Sequence, residues 1–385
     1  MNRETELQHL GEEKSGTGPV VPPIVQTSLF VYPDFDSFWG TMFDHSADNE
    51  RFIYSRVGNP NLSVVEKKLA MLEKTETCKI FTSGMAAITA GILCSVKAGD
   101  HIVAVDTMYG PTKEFILKWL PRFGVTHTLV TGNDPAEIEA ACTAETKLIY
   151  LESPSSILFR FQDLEAVARF AKSKGIRTMV DNSYASPLFS QPATFGIDLI
   201  VHSATKYIGG HSDVVAGALC GSREHLDAMM AEEGQWLGAL LPPFPAWLLM
   251  RGLRTLPMRM EHSQRTAFEI FEYLKSRSEV DEIFFAGDPD HPQNDLFKKQ
   301  MSGATSLLSF APKVQEMEKV KAFVESLNLF QIGVSWGGFE SLAVIIPAHP
   351  MNWSEPRWVV RLYCGFEHVD DLKADLTQGF EAHLA

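Results

Sequence analysis

The chain predicts an α/β fold, a mostly parallel central sheet with helices on both faces, followed by a smaller α+β unit. Two observations carry this. Through the middle of the sequence short β-like runs alternate with helical ones, the order in which crossover helices join parallel strands. After about Pro243 the texture changes to longer helical stretches and then to a second group of strand-like runs. The length of 385 residues allows roughly two or three domains. They are expected as an N-terminal arm at 1–60, a first domain at 61–245 and a C-terminal domain at 246–385.

The arm is rich in proline, glycine and aromatic residues. Its Gly18-Pro19-Val20-Val21-Pro22-Pro23 run cannot be helical, and it reads as an extended segment that packs on something else, such as a neighbouring subunit. From Asn61 the pattern is regular. Ser63-Val64-Val65-Glu66 has the form of a capping box, and Val65, Leu69 and Leu72 supply an apolar helical stripe. Strands are expected at 78–82, 101–105, 126–130, 147–151, 177–181 and 198–202. Helices are expected at 85–96, 112–120, 135–143 and 163–174, the last capped by Asp163 and stopped by Gly175. The second unit reads as helices at 247–254 and 260–277, strands at 304–310, 341–346 and 359–363, and a closing helix at 370–380. Residues 286–293, rich in Gly, Pro and Asp, read as an exposed loop.

Composition narrows the class. At 45% hydrophobic and 21% charged, with no apolar run long enough to span a bilayer, the chain reads as a soluble globular protein with ample length for a core. A net charge of −14 argues against a nucleic-acid or anionic-membrane partner. Residues 1–14 are polar and lack the apolar region of a secretory signal, and the five cysteines are scattered without C-x-x-C spacing. Free thiols in a reducing compartment, the cytoplasm, are therefore expected. No histidines stand at metal-ligand spacing, and no dinucleotide, P-loop or nucleophile-elbow motif occurs.

The segment Val201-His202-Ser203-Ala204-Thr205-Lys206-Tyr207-Ile208-Gly209-Gly210-His211-Ser212-Asp213 carries the most chemistry. Lys206 follows a buried-looking strand, and desolvation there lowers a lysine's pKa and makes it an amine nucleophile. Ser203 and Thr205 offer hydroxyls to an anion such as a phosphate. Together they suggest an internal Schiff base to a phosphorylated aldehyde, pyridoxal phosphate (PLP). Ligands of such sheets sit beyond the carboxyl ends of the strands, where further candidates gather. Ser83-Gly84-Met85-Ala86-Ala87 opens a helix whose amides suit a phosphate, although the same turn serves equally as a tight strand–helix connection. Asp181, 25 residues before Lys206, is a candidate partner for a pyridinium nitrogen, or a simple turn cap. Tyr109 is placed to stack on a flat ring, Arg56 suits a phosphate, and Arg361 suits a bidentate clamp on a substrate carboxylate.

These residues resemble the Cys/Met-metabolism PLP enzymes of fold type I, the group containing cystathionine β- and γ-lyases, cystathionine γ-synthase and methionine γ-lyase. The resemblance runs nearly the full length, through Tyr54-x-Arg56-x-Gly58-Asn59-Pro60, Ser83-Gly84-Met85-Ala86-Ala87, Asp181-Asn182 and the Lys206 segment. It implies Lys206 as Schiff-base lysine and proton carrier, Asp181 on the pyridine nitrogen and Tyr109 on the ring. It further implies Gly84, Met85, Ser203 and Thr205 at the phosphate, with Ser156 and Ser183 among the cofactor-binding residues. Tyr54 and Arg56 would reach the phosphate of the adjacent subunit, in a homo-oligomer that is usually a tetramer built from dimers with shared sites. Arg361 and the Ser335 backbone would hold the α-carboxylate of a sulfur amino acid, with Trp336 and Tyr54 beside it.

Within the group, the sequence resembles the bacterial cystathionine β-lyase branch most. Ser156-Ile157 and Trp336 follow that branch, Pro111 stands where methionine γ-lyases carry a cysteine, and Ile53 and Val334 are apolar where γ-enzymes tend to place acids. Two positions depart from the branch: Val334 replaces a tyrosine, and Val57 replaces an arginine. Glu114 remains as an acid for a distal ammonium. The implied activity is C–S β-elimination, in which Lys206 takes the Cα proton and Lys206 or Tyr109 protonates the departing sulfur. Thiol, pyruvate and ammonia are the products. A γ-acting or replacement enzyme and a catalytically dead homologue are the rival readings, and the residues separate β from γ only through the resemblance.

Overall fold

The central strands of the larger of two sheets are short of side-chain polarity and buried on both faces, as parallel crossover connections require. Its edge strand Thr126–Val130 is polar and largely unburied. The computed structural model describes residues 2–12, 18–43 and 52–384, so parts of the arm and of the polar N-terminus fall outside the described residues. The large sheet contains β1 (Thr77–Phe81), β2 (His101–Val105), β3 (Thr126–Val130), β4 (Thr146–Glu152), β5 (Arg177–Asp181), β6 (Leu199–His202) and β7 (Gly217–Gly221) in the order β1-β7-β6-β5-β4-β2-β3. All pairings from β6 to β3 are parallel, and β7 runs antiparallel to both β1 and β6. The six strands expected from sequence are present within a residue or two, and β7 is an addition.

The smaller sheet holds β8 (Val280–Phe284), β9 (Leu307–Pro312), β10 (Gln331–Ile332), β11 (Leu342–Ala348) and β12 (Arg357–Tyr363) in the order β10-β11-β12-β9-β8. The fold is therefore mixed α/β, with one large, mostly parallel sheet and a second smaller one, as the sequence implies.

Helix ends follow their caps. Asp163 accepts from the Ala166 amide to start Leu164–Lys174, and Gly175 ends it in the left-handed conformation (φ 65°). The helix expected near Asn61 starts earlier than the Ser63 capping box. It spans Pro60–Glu73, because Asn59 accepts from the Asn61 amide and Pro60 sits at the first position, where its missing N–H costs nothing. The two helices expected at 247–254 and 260–277 are one, Pro243–Lys275, with Pro257 inside it. At about 50 Å this helix lies against Pro60–Glu73, β8 and the closing helix Val369–His383, joining the surroundings of both sheets. The expected loop at 286–293 is irregular, but Ala286 is fully buried, and the Gln293 amide both donates to and accepts from the Phe161 backbone.

Among the described residues no helix is long and apolar enough to cross a membrane, and no cluster of three His, Cys, Asp or Glu side chains could hold a metal. All five cysteines are free thiols, and Cys78, Cys220 and Cys364 are buried.

Candidate functional site

Parallel strands end together, and here the ends of β4 and β5 and the loop after β6 carry Glu152, Asp181 and Lys206. The pairing sets Glu152 beside Asp181, and Asp181 beside Val201 one residue before the end of β6. Both carboxyl groups are buried. One Asp181 oxygen accepts from the Ser183 amide at 2.9 Å, and the Ser183 hydroxyl accepts from the Ser203 amide at 2.6 Å. That second bond ties the loop after β5 to the loop after β6, which carries Lys206.

The Lys206 amine donates to Ser335 Oγ at 2.5 Å and lies 5.4 Å from the centre of the Trp336 ring. Burial, and then the nearby Arg361 charge, push its pKa down to about 8, against a smaller opposing pull from Asp181. Arg361, on β12, donates to the Ser335 carbonyl at 3.1 Å, and burial lowers it to about 10, so it stays cationic at neutral pH. Lys206, Ser335, Trp336 and Arg361 are thus brought together from both sheets. Ser335 itself has φ 82°, an uncommon conformation for serine. The segment sits so close because of Gly337: its φ is 91°, and a Cβ there would lie 2.7 Å from the Lys206 carbonyl carbon and the Tyr207 amide. Below the lysine, Arg259 of the long helix donates to the Tyr207 carbonyl at 2.6 Å and to the Gly252 carbonyl at 2.7 Å.

The expected anion cradle starts at β1. Ser83 caps the helix Gly84–Leu93 by accepting from the Ala86 amide, and the helix's first amides have no partner within it. A Cβ at Gly84 would lie 2.9 Å from Ser203 Oγ, so glycine lets this helix end meet the Lys206 loop. The Met85 sulfur accepts from Thr112. The Thr205 hydroxyl is engaged with the Ala216 backbone, donating to its carbonyl and accepting from its amide.

Of the other sequence candidates, Tyr109 and Ser156 gather at Glu152 beside Asp181, while Tyr54, Arg56 and Glu114 stand apart. Tyr109 is 46% exposed, leaving a ring face available, and its amide donates to Glu152 Oε2 at 2.6 Å. Burial, then the Asp181 and Glu152 charges, raise its phenol above the usual value. The Ser156 hydroxyl donates to Glu152 Oε1 at 2.5 Å. Tyr54 and Arg56 are exposed, the guanidinium lying 5.7 Å from the Tyr54 ring and donating to the Gln235 carbonyl. Glu114, expected to face a distal ammonium, is exposed and pairs with Lys118 one helical turn away.

Glu152 was not among the sequence candidates. Burial, and then the neighbouring Asp181 charge, push its carboxyl up to about 8. Its position was readable, for the reasoning that selects Asp181 at the carboxyl end of β5 applies equally to a Glu at the end of β4. Arg259 gave no such signal, lying as it does in the middle of a helix.

These residues fit PLP. A helix N-terminus with glycine at the approach suits the phosphate, and a buried carboxylate with one oxygen uncommitted to a described donor suits the ring nitrogen. A lysine held partly neutral suits the aldehyde.

Comparison with known proteins agrees. The family model described as Cys/Met metabolism PLP-dependent enzyme matches residues 4–381. An L-methionine gamma-lyase of Porphyromonas gingivalis is 38% identical, over 98% of this chain and 96% of its own. A cystathionine beta-lyase of Lactococcus lactis is 35% identical over 95% of each chain. The solved structure of cystathionine gamma-lyase from Lactobacillus plantarum complexed with L-serine superimposes with a TM-score of 0.89 at 35% identity, covering 100% of this chain and 99% of that one. The chain belongs to the Cys/Met metabolism family of PLP-dependent enzymes, with the fold-type I architecture and PLP as its cofactor.

Proposed function

We propose that the protein is a C–S β-lyase, cleaving a cysteine-type thioether to a thiol, pyruvate and ammonia. The observation that carries the C–S lyase reading is the Lys206–Ser335–Trp336–Arg361 cluster, which sets a partly neutral amine beside a carboxylate clamp and an aromatic wall. The β assignment is carried by the subfamily residues below. Arg361 would take the substrate α-carboxylate with the Ser335 backbone. Lys206 would then stand over Cα as base. At pH 7 a pKa of about 8 leaves roughly a tenth of it neutral, several hundred times the fraction for an ordinary lysine.

Bound PLP supplies the electron sink for the negative charge that develops when the Cα proton is removed. Asp181 would hold the ring nitrogen, and Gly84, Met85, Ser203 and Thr205 the phosphate. Tyr109, kept as a phenol by its raised pKa, would offer a proton to the departing sulfur, and Lys206 is the alternative donor. Glu152 would orient Tyr109 through its amide and restrain Ser156. Ser183 would keep the two loops in register.

The subfamily choice rests on Ser156, Trp336 and Pro111, and on the apolar Ile53 and Val334 near the Ser335 segment and the arm. A γ-acting enzyme is the second reading, favoured by the 38% identity to a protein named L-methionine gamma-lyase against 35% for one named cystathionine beta-lyase. The gap is too small to choose by identity. The arm supports a homo-oligomer with shared sites: Val31, Phe35, Trp39 and Phe43 leave large apolar surface exposed on one chain, next to Tyr54 and Arg56 in sequence.

The test presents PLP-loaded protein with cystathionine, cystine, methionine, and O-acylhomoserines plus sulfide. Pyruvate from cystathionine or cystine is expected. If 2-oxobutyrate were the only keto acid formed, the γ reading would replace this one.

A further inference from the structure

The helix Pro60–Glu73 ends in a carboxyl that the site as described does not use. Glu73 is fully buried and is the last residue of its helix. Burial strips its water, and the helix C-terminus presents the negative ends of its carbonyls, so its oxygens need donors from elsewhere in the fold. It is held by two side chains. Its Oε1 accepts from His202 Nε2 at 2.5 Å and from Asn182 Nδ2 at 2.8 Å.

Both partners are buried and stand at the ends of adjacent strands. His202 is the last residue of β6, and Asn182 follows Asp181, the last of β5. Asn182 Nδ2 also donates to the Ser190 carbonyl at 3.1 Å, and its amide donates to the Val201 carbonyl at 2.9 Å. Glu73 Oε2, Asn182 Oδ1 and His202 Nδ1 are buried with no hydrogen-bond partner among the described residues. Apolar side chains would fill this space without that cost, so packing alone gives no reason for the cluster.

Its position gives one. A single carboxyl spans two strand ends, of which one presents Asp181 and the other leads through Ser203 to Lys206. We propose that Glu73 is a positioning residue for the cofactor: through His202 and Asn182, at the ends of the two adjacent strands, it fixes the Asp181 carboxylate in place. The inference rests on reading Asp181 as the partner of the ring nitrogen. The titratable groups facing Asp181 are Glu152 from β4, His202 at the end of β6, Lys206 after it, Tyr109 after β2 and Tyr150 on β4. Burial raises the Asp181 carboxyl, while its bonds to Ser183 and then the charge of His202 hold it down.

The experiment compares the parent with Glu73→Gln, His202→Gln, the double variant and Asp181→Asn. It reads the PLP dissociation constant by equilibrium dialysis and the pH midpoint of the visible absorbance of the bound cofactor. Cooperative unfolding of the apoproteins reports that each variant folds. Glu73→Gln and His202→Gln are each expected to weaken PLP by about tenfold or more and to move the midpoint, with the double variant no worse than the weaker single. The inference is overturned if both single variants bind within about threefold of the parent with an unmoved midpoint, while Asp181→Asn loses both properties. It is also overturned if neither single variant folds, which would assign the cluster to the core, or if the two losses simply add. An Asp181→Asn variant that behaves like the parent would instead remove the reading of Asp181 beneath it.

Discussion

Gly337→Ala probes how firmly Lys206 is held from above. At φ 91° an L-residue is strained by about 1–2 kcal/mol, before any collision. The new methyl would stand 2.7 Å from two backbone atoms of the Lys206–Tyr207 link, and ordinary contact begins at 3.4 Å. The segment must therefore retreat by ~0.7 Å, since backbone cannot rotate away as a side chain can. Ser335 lies two residues back, and it makes the 2.5 Å contact to the lysine amine and the 3.1 Å contact to Arg361. A shift of that size would take the Arg361 contact to about 3.8 Å, beyond good hydrogen-bond geometry, and the lysine contact to about 3.2 Å, the long end of the range. Misplacing a reacting group by about 1 Å costs on the order of 100-fold in rate, and strain plus lost contacts lower stability by about 2–3 kcal/mol. The assay pairs kcat/KM for keto-acid release by the PLP-loaded variant with its urea midpoint. An alanine variant that matched the parent in both would refute the claim that the Ser335–Gly337 segment clamps the lysine.

Arg361→Lys keeps a positive charge but loses the planar fork, so KM should rise by about tenfold or more with a smaller change in kcat; steady-state kinetics with any turned-over substrate check this, and an unchanged KM would remove Arg361 from the carboxylate. Lys206→Ala should abolish turnover, and full retention of activity would sink the mechanism. Glu152 gives a pH signature in the apoprotein. Its folded pKa of about 8 exceeds the ordinary 4.5, so between these values the folded state keeps a proton that the unfolded chain has released. The associated stability is present at low pH and is lost as pH rises, by at most about 1.4 kcal/mol per pH unit. Urea unfolding across this window should therefore fall more steeply for the parent than for Glu152→Gln, and equal slopes would contradict the burial argument.

Much of the scaffold was legible because its signals are local. Asp163 and Gly175 bracket their helix as expected, and six strands of the large sheet follow from short apolar runs set between turn signals. The failures are places where tertiary contacts outweigh local preference. β7 reads Gly-Ala-Leu-Cys-Gly, with no β-branched or aromatic residue, and it is a strand because β1 and β6 flank it. Pro257 argues for a helix break costing about 3 kcal/mol, yet Pro243–Lys275 continues through it, packed on several elements at once. In the site, Lys206, Asp181 and Arg361 announce themselves by residue type at strand ends or in a strand. Glu152 was open to the same strand-end reasoning, but Glu73 was not, for at a helix end a buried glutamate and a solvated one look the same until their neighbours are known.

The reversed direction of β7 has a consequence for how the lysine is tethered. A parallel successor to β6 would need a crossover that carries the chain to the far end of the sheet and back. Because β7 is antiparallel, the chain between His202 and Gly217 leaves and re-enters the sheet at the same end, and the Thr205–Ala216 hydrogen bonds pinch it near its base. Lys206 therefore rides on a short closed loop rather than on a long connection. Closing such a loop costs little chain entropy, which leaves the Gly337 segment above and Arg259 below to fix the lysine's position. The same closure sorts positions within the loop: added length at the exposed Ser212–Asp213 tip has solvent to enter, whereas added length between the Thr205–Ala216 pinch and Lys206 would displace the amine.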